Sequence, residues 1–92
     1  MSIDEVMKYY WEEYGITITW DSYLPKDRRK TSGYVIKVPT IHAMEHGDEI
    51  CFTDHDDYYV RYAGDVKRYI NRYLDKEFLK RLKVLMAELK KR

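Results

Sequence analysis

The sequence predicts a small α+β domain with helices at both ends of the chain and a three- to four-stranded antiparallel sheet between them. Apolar residues recur at helical spacing near both termini, and β-branched and aromatic residues alternate with polar ones in the middle. The 92 residues suffice for one modest core. We therefore expect residues 1–92 to form one domain, with the helices packed on one face of the sheet.

The N-terminal helix is predicted from its caps and its apolar face. Ser2 and Glu5 have the spacing of a capping box, and Gly15 suits the left-handed residue that ends a helix. Apolar and aromatic side chains share one face between these caps: Ile3, Val6, Met7, Tyr10, Trp11 and Tyr14.

Two strands are predicted in the first half of the chain. Residues 16–20 alternate with period two, which places Ile16, Ile18 and Trp20 toward the core. Residues 34–38 form the second strand, in which Tyr34, Ile36 and Val38 share a face. Residues 40–46 fit either a helical turn capped by Thr40 or an extended connection.

Two more strands are expected at residues 49–52 and 58–62. The second would carry Tyr58, Val60 and Tyr62 on one side. Residues 54–57 between them have the composition of a hairpin turn.

The C-terminal region begins with Asp65, which is predicted to cap a helix that starts at Val66. A first apolar stripe contains Val66, Tyr69, Ile70, Tyr73 and Leu74, and a second stripe, displaced by about a third of a turn around the helix axis, runs from Phe78 to Leu89. Either the chain breaks near Asp75, or the second stripe contacts a second molecule. Because the second stripe lacks an evident intrachain neighbour, a homodimer is favoured through four residues with heptad spacing: Phe78, Leu82, Leu85 and Leu89.

The charges alternate in blocks along the chain, although the net charge is only +1. The net charge is −6 over residues 42–65 and +7 over residues 66–92. The single cysteine cannot form an internal disulfide, and no apolar run approaches the roughly eighteen residues of a membrane helix. The sequence thus predicts a cytoplasmic protein without membrane insertion.

Four residues of types that bind zinc lie close together in the sequence: His42, His46, Cys51 and His55. Residues four apart in a strand are separated by about 13 Å, so Cys51 and His55 cannot share one ion unless the chain doubles back. A partial site from His42, His46 and Asp48 stays open only if residues 41–46 are helical. Phosphate-loop, serine-hydrolase and metalloprotease motifs are absent from the sequence. We expect no metal, no cofactor and no catalytic residues, and therefore not an enzyme.

A binding role remains, and a partner protein is favoured, with its site on the 23–33 loop and an exposed tyrosine. Arginine beside tyrosine is typical of interface hot spots. The residues expected to bind the partner are Tyr23, Lys26, Arg28, Arg29, Lys30 and Tyr59. Small size and missing motifs are typical of viral or mobile-element accessory proteins, which predicts inhibition or modulation of a host enzyme or defence protein.

Nucleic-acid binding is the alternative. The basic residues 26–30 and a basic side of the C-terminal helical region would contact phosphates on the two sides of a strand or duplex. The helical residues in that hypothesis are Arg68, Arg72, Lys76, Lys80 and Lys83.

Overall fold

The computed structural model describes residues 2–21, 32–46 and 55–91. The elements in these ranges are, in chain order, α1 (Ile3–Tyr14), β1 (Thr17–Asp21), β2 (Gly33–Pro39), α2 (Ile41–His46), β3 (His55–Val60), α3 (Ala63–Tyr73) and α4 (Lys76–Lys90). The predicted α+β class is confirmed, with an N-terminal helix, an antiparallel sheet and C-terminal helices.

Helix α1 has the predicted caps at both ends. The backbone N–H of Glu5 donates to the Ser2 hydroxyl at 3.3 Å. Gly15 adopts the left-handed conformation with φ of 70°, and its N–H donates to the carbonyls of Trp11 and Tyr10. A side chain at this φ would be strained, so glycine ends the helix here at the least cost.

The described strands form an antiparallel sheet in the order β1–β2–β3. Ile18 pairs with Ile36, and Ile36 pairs with Tyr58, so these three side chains lie in one row across the sheet. This row faces the helices and belongs to the main core. Val35 and Tyr59 pair in the neighbouring row and point to the opposite face, since side chains alternate along a strand.

The helices cover one face of the sheet in two layers. Helix α1 packs on β1, and α3 packs on β2 and β3. Helix α4 packs on α1 and α2 and therefore forms an outer layer. The core between these elements includes Ile16, Ile36, Ile70 and Leu82, which are fully buried.

Trp20 was predicted to face the core, and this prediction is wrong: the residue is 56% exposed. The alternation of β1 does place it on the side of Ile18, opposite Tyr34. However, β1 ends one residue later, and the indole packs edge-on against the Tyr34 ring at 5.1 Å between centroids. Within the described residues, the core does not cover this end of β1.

The acidic segment 55–57 was predicted as a turn, and it is instead the first half of β3. His55, Asp56 and Asp57 pair with residues 39, 38 and 37 of β2, respectively. Asp57 lies directly opposite Lys37, and opposite charges at such positions stabilise a strand pair. Pairing with β2 thus overrides the local turn preference of these residues.

The end of β3 and the start of α3 also differ from prediction. Tyr62 was expected in the strand beside Tyr58 and Val60, but it precedes α3 with an extended backbone and is 65% exposed. Helix α3 begins at Ala63, so Asp65 is not its N-cap but lies in its first turn. A carboxylate there still interacts favourably with the helix dipole.

The ambiguous residues 40–46 form a short helix. The Thr40 hydroxyl accepts a hydrogen bond from the Ala43 N–H at 3.1 Å, as the helical alternative required. The predicted strand at residues 49–52 lies outside the described residues.

The C-terminal region is broken at Leu74 and Asp75, which confirms the first of the two predicted alternatives. The second stripe was predicted to lack a neighbour within its own chain, and this prediction is wrong. Leu82 and Leu85 are 0% and 5% exposed and lie in the chain's own core, and Phe78 and Leu89 pack against that core. Homodimer formation itself stays a prediction, without these residues to support it.

Within the described ranges, no helix is long and apolar enough to cross a membrane.

Candidate functional site

A groove with an arginine- and tyrosine-rich lining lies between the end of β3 and helix α3. Its volume is about 260 Å³. Strand β3 contributes Val60, the loop that follows contributes Arg61, and α3 contributes the remaining lining residues: Asp65, Arg68, Tyr69, Arg72 and Tyr73. We call this surface the Arg–Tyr groove.

The helical repeat explains why these residues of α3 share one side. Positions 65, 68, 69, 72 and 73 are three or four residues apart, so they form a stripe along the helix. The adjacent stripe contains Val66 and Ile70, which are fully buried against the sheet. Packing of Val66 and Ile70 therefore turns the Arg–Tyr stripe toward β3 and Arg61.

The charges of the groove are positive and mostly exposed. Arg61, Arg68 and Arg72 oppose one carboxylate, that of Asp65, so the lining carries a formal charge of +2. The Arg68 guanidinium lies 3.5 Å from the Asp65 carboxylate, and the Arg68 side chain is 75% exposed. A surface pair of this kind is weak, so it leaves Arg68 available to an incoming anion.

Aromatic rings form one wall of the groove. The centroids of Tyr69 and Tyr73 are 4.7 Å apart with 39° between the rings, and Tyr69 also contacts Tyr58 at 5.6 Å. The Arg72 guanidinium lies 5.6 Å from the Tyr73 ring centroid, within the range of a cation–π contact. Burial, followed by the nearby Asp56 carboxylate and Tyr69, raises the pKa of Tyr58, so its hydroxyl keeps its proton at neutral pH.

This arrangement suits binding of an oxyanion. Guanidinium groups donate forked hydrogen bonds to carboxylates and phosphates, and tyrosine rings offer contact area with little conformational freedom to lose. The lining contains no cysteine, histidine, serine or lysine.

Of the residues predicted to bind a partner, only Tyr59 lies in the described part of the chain. Tyr23, Lys26, Arg28, Arg29 and Lys30 lie outside the described residues. Tyr59 is half-buried in β3 and points to the sheet face opposite the helices, where it pairs with Val35. The structure therefore does not place Tyr59 in the Arg–Tyr groove.

The five basic residues of the nucleic-acid hypothesis are divided between two helices. Arg68 and Arg72 line the groove on α3, whereas Lys76, Lys80 and Lys83 belong to α4. Lys83 lies 3.8 Å from Glu13 of α1, and Lys80 lies 3.5 Å from Glu77. The sequence predicted that these basic residues share one side of a single helical region. Because the helix breaks between α3 and α4, they lie on two separate helices instead.

Two other basic side chains of α4 form hydrogen bonds with α2 and α1. The Arg81 guanidinium donates to Glu45 of α2 at 3.0 Å. The Lys90 ammonium donates to the backbone carbonyl of Glu12 in α1. Much of the positive charge of α4 is therefore directed toward α1 and α2.

Two of the candidate zinc ligands, His42 and His55, have described side chains, and they lie on different elements. His42 is exposed on α2, and His55 lies on β3 with its Nδ1 atom 2.7 Å from Oδ1 of Asp57. Both atoms are shielded from solvent, and they approach at ion-pair distance without the alignment of a hydrogen bond. The described residues contain no group of three or more metal-ligating side chains, whereas Cys51 lies outside them.

The sequence assigned no binding role to four residues of the groove: Val60, Arg61, Asp65 and Tyr73. Tyr73 was interpreted only as a member of an apolar stripe, whereas Tyr69 was also expected to lie at the edge of that stripe and to be partly exposed. The available signal was the repetition of arginine and tyrosine at positions 68, 69, 72 and 73, beside the fully buried stripe of the same helix. Arg61 was unpredictable, since its approach to α3 depends on where β3 ends.

Comparison of this chain with protein-family models, with curated proteins and with solved structures found no match.

Proposed function

We propose that this chain is a non-enzymatic binding protein that inhibits or modulates a partner protein, and that the Arg–Tyr groove docks an acidic segment of that partner. One observation carries the proposal. Three arginines from the end of β3 and from α3 line the same groove as two tyrosines, against a single carboxylate. Charge complementarity therefore selects an acidic occupant.

The residue types of the groove support a protein partner. Arginine and tyrosine are enriched among the few interface residues that carry most of the binding free energy. Tyr73 is 63% exposed, so its ring has much contact area to bury. A volume of about 260 Å³ lies below the usual range of small-molecule sites, which favours a few side chains of a larger partner.

Capture of partners from a lysate of the natural host cell, with nuclease present, tests the proposal. The parent chain should retain a protein in stoichiometric amount, and the triple variant Arg61→Ala, Arg68→Ala and Arg72→Ala should lose it. With both proteins purified, the variant should bind at least about 2 kcal/mol more weakly, because the arginines supply the anchoring contacts. Its thermal melt should match that of the parent, since these side chains are exposed.

A matched variant removes three positive charges elsewhere. Lys67 lines a different groove, beside α1, and Lys76 and Lys80 are exposed on α4. The triple variant Lys67→Ala, Lys76→Ala and Lys80→Ala should retain the partner. Equal loss in both variants would mean that net charge, rather than the groove, directs binding, and would contradict the proposal.

Nucleic-acid binding is the second candidate, because arginines beside exposed aromatic rings also contact single-stranded nucleic acids. Glu13 of α1 and Glu45 of α2 lie beside Lys83 and Arg81 of α4, so these carboxylates offset part of the positive charge of that face. A gel shift with single-stranded DNA that weakens steeply with salt, together with loss of the captured material on nuclease treatment, would favour this candidate.

A further inference from the structure

We propose that the group taken by the Arg–Tyr groove is a phosphate monoester on an aromatic ring, presented by the partner as phosphotyrosine. The inference rests on the proposed function and goes beyond it by naming the chemistry of the ligand. Three features of the groove carry it: its charge, the placement of its arginines on two elements and its aromatic wall.

The charge of the lining fits a phosphate better than a carboxylate. Arg61, Arg68 and Arg72 against Asp65 give +2. A phosphate monoester carries about −1.5 to −2 at neutral pH, whereas a glutamate or aspartate carries only one negative charge. A carboxylate would therefore leave one guanidinium without a counterion in the groove.

The three arginines come from two sides of the groove. Arg68 and Arg72 are one turn apart on α3, about 6 Å along the helix axis, and Arg61 lies on the loop that follows β3. The three terminal oxygens of a phosphate point in different directions and accept from donors on several sides. A carboxylate has two oxygens in one plane and is best matched by a single fork.

The aromatic wall selects the group that carries the phosphate. Tyr69 and Tyr73, 4.7 Å apart, extend along the side of the groove beside the arginines. An aromatic ring attached to the phosphate can pack edge-on or offset against them, as aromatic pairs prefer. A phosphoserine side chain has no ring to make this contact, so phosphotyrosine should bind more tightly.

Direct titration of the purified full chain tests the inference even while the natural partner is unidentified. The probes are phenyl phosphate and a set of short peptides that carry phosphotyrosine, tyrosine, phosphoserine or glutamate at one position, followed by calorimetry and NMR. Phenyl phosphate should shift the ring signals of Tyr69 and Tyr73. The phosphotyrosine peptide should bind roughly tenfold or more tightly than each of the other peptides.

Two variants separate the arginine forks from the ring contact. Arg68→Lys with Arg72→Lys keeps the charge but removes the forks, and should weaken phosphotyrosine binding roughly tenfold. Tyr73→Ala removes ring contact, and should reduce the preference for phosphotyrosine over phosphoserine. The variant Lys67→Ala, Lys76→Ala and Lys80→Ala should stay within about threefold of the parent, because these charges lie outside the groove.

The results distinguish phosphotyrosine recognition from the proposed binding of a protein partner. If the glutamate peptide binds as tightly as the phosphotyrosine peptide, or if no probe binds, the inference is overturned, while an arginine-dependent protein partner would still support the function. If single-stranded DNA binds through the same arginines more tightly than the phosphotyrosine peptide, both are overturned.

Discussion

The hydroxyls of Tyr10 and Tyr14 in α1 lie in surroundings that disfavour ionisation. Burial, then a hydrogen bond with Tyr9 and the nearby charges, raises the pKa of Tyr14 to about 12. Burial and then Tyr9 also raise the pKa of Tyr10. The three rings form one cluster, in which the Tyr10 and Tyr14 centroids are 5.7 Å apart. The folded protein therefore favours the neutral form of the Tyr10 and Tyr14 hydroxyls.

This environment predicts a loss of stability at alkaline pH. Below pH 10, Tyr14 keeps its proton in both the folded and the unfolded chain; between pH 10 and about 12, only the folded chain keeps it. The unfolded state then binds fewer protons, so the free energy of unfolding falls as the pH rises through this window. Tyr14→Phe should reduce the fall, as measured by urea denaturation at about pH 9 and about pH 11.

Tyr62→Phe is the matched control, because Tyr62 is 65% exposed and lies outside the α1 cluster. It should lose stability with pH as the parent does. A Tyr14→Phe variant whose stability falls as steeply as that of the parent would show that the hydroxyl is not protected by folding.

At the scale of elements, the junction of α3 and α4 decides how the C-terminal residues pack. Leu74 has φ of −90° and ψ of 136°, which ends α3 after Tyr73. Asp75 is also extended, and its carboxylate accepts a hydrogen bond from the Glu77 N–H at 3.0 Å. The change of direction lets α3 pack on the sheet while α4 packs on α1 and α2.

Loss of the Asp75 cap should destabilise the fold measurably. Asp75→Ala removes the acceptor for one of the unpaired N–H groups at the start of α4, and should lower the free energy of unfolding by about 1 kcal/mol. Asp75→Asn retains a capping oxygen and should cost much less. Chemical denaturation of both variants checks this; equal losses would mean that the cap contributes little.

At the scale of the whole molecule, α4 is an outer helix that completes the core. Its buried side includes Leu79, Leu82, Leu85 and Met86, and its exposed side carries bases that contact α1 and α2. Such surface pairs contribute at most about 1 kcal/mol each. Burial of the leucines therefore holds α4 in place more than the ion pairs do.

The Leu82→Ala variant should accordingly unfold more readily than the parent, and its effect should not be limited to weaker homodimer formation. Truncation of a fully buried leucine costs about 2–5 kcal/mol, through lost burial and the cavity that remains. Val84 on the same helix is 49% exposed, so Val84→Ala should change stability by no more than about 0.5 kcal/mol. Thermal denaturation measures both, and light scattering reports the oligomeric state.

One combination of results would contradict this prediction. If the parent were a dimer and Leu82→Ala were a monomer with an unchanged melt, the stripe would serve a second copy instead of the core of its own chain.

The sequence by itself determined those elements whose signals are local. The Ser2 and Gly15 caps and the alternation in β1 and β2 depend on contacts between residues only a few positions apart, whereas the break near Asp75 was one of two alternatives that the sequence left open. Such contacts are the same in any fold that contains the element. Arg68 and Arg72 were also singled out from the sequence, although for a different ligand.

Only the tertiary structure decided which distant residues meet. The acidic residues 55–57 form a strand because β2 supplies their partners, and Trp20 is exposed because the core ends before it. The Arg–Tyr groove forms because Val66 and Ile70 pack on the sheet and turn Arg68, Tyr69, Arg72 and Tyr73 toward Arg61. The physical reason is that strand pairing and core burial join residues far apart in the chain, and no local pattern records that choice of partner.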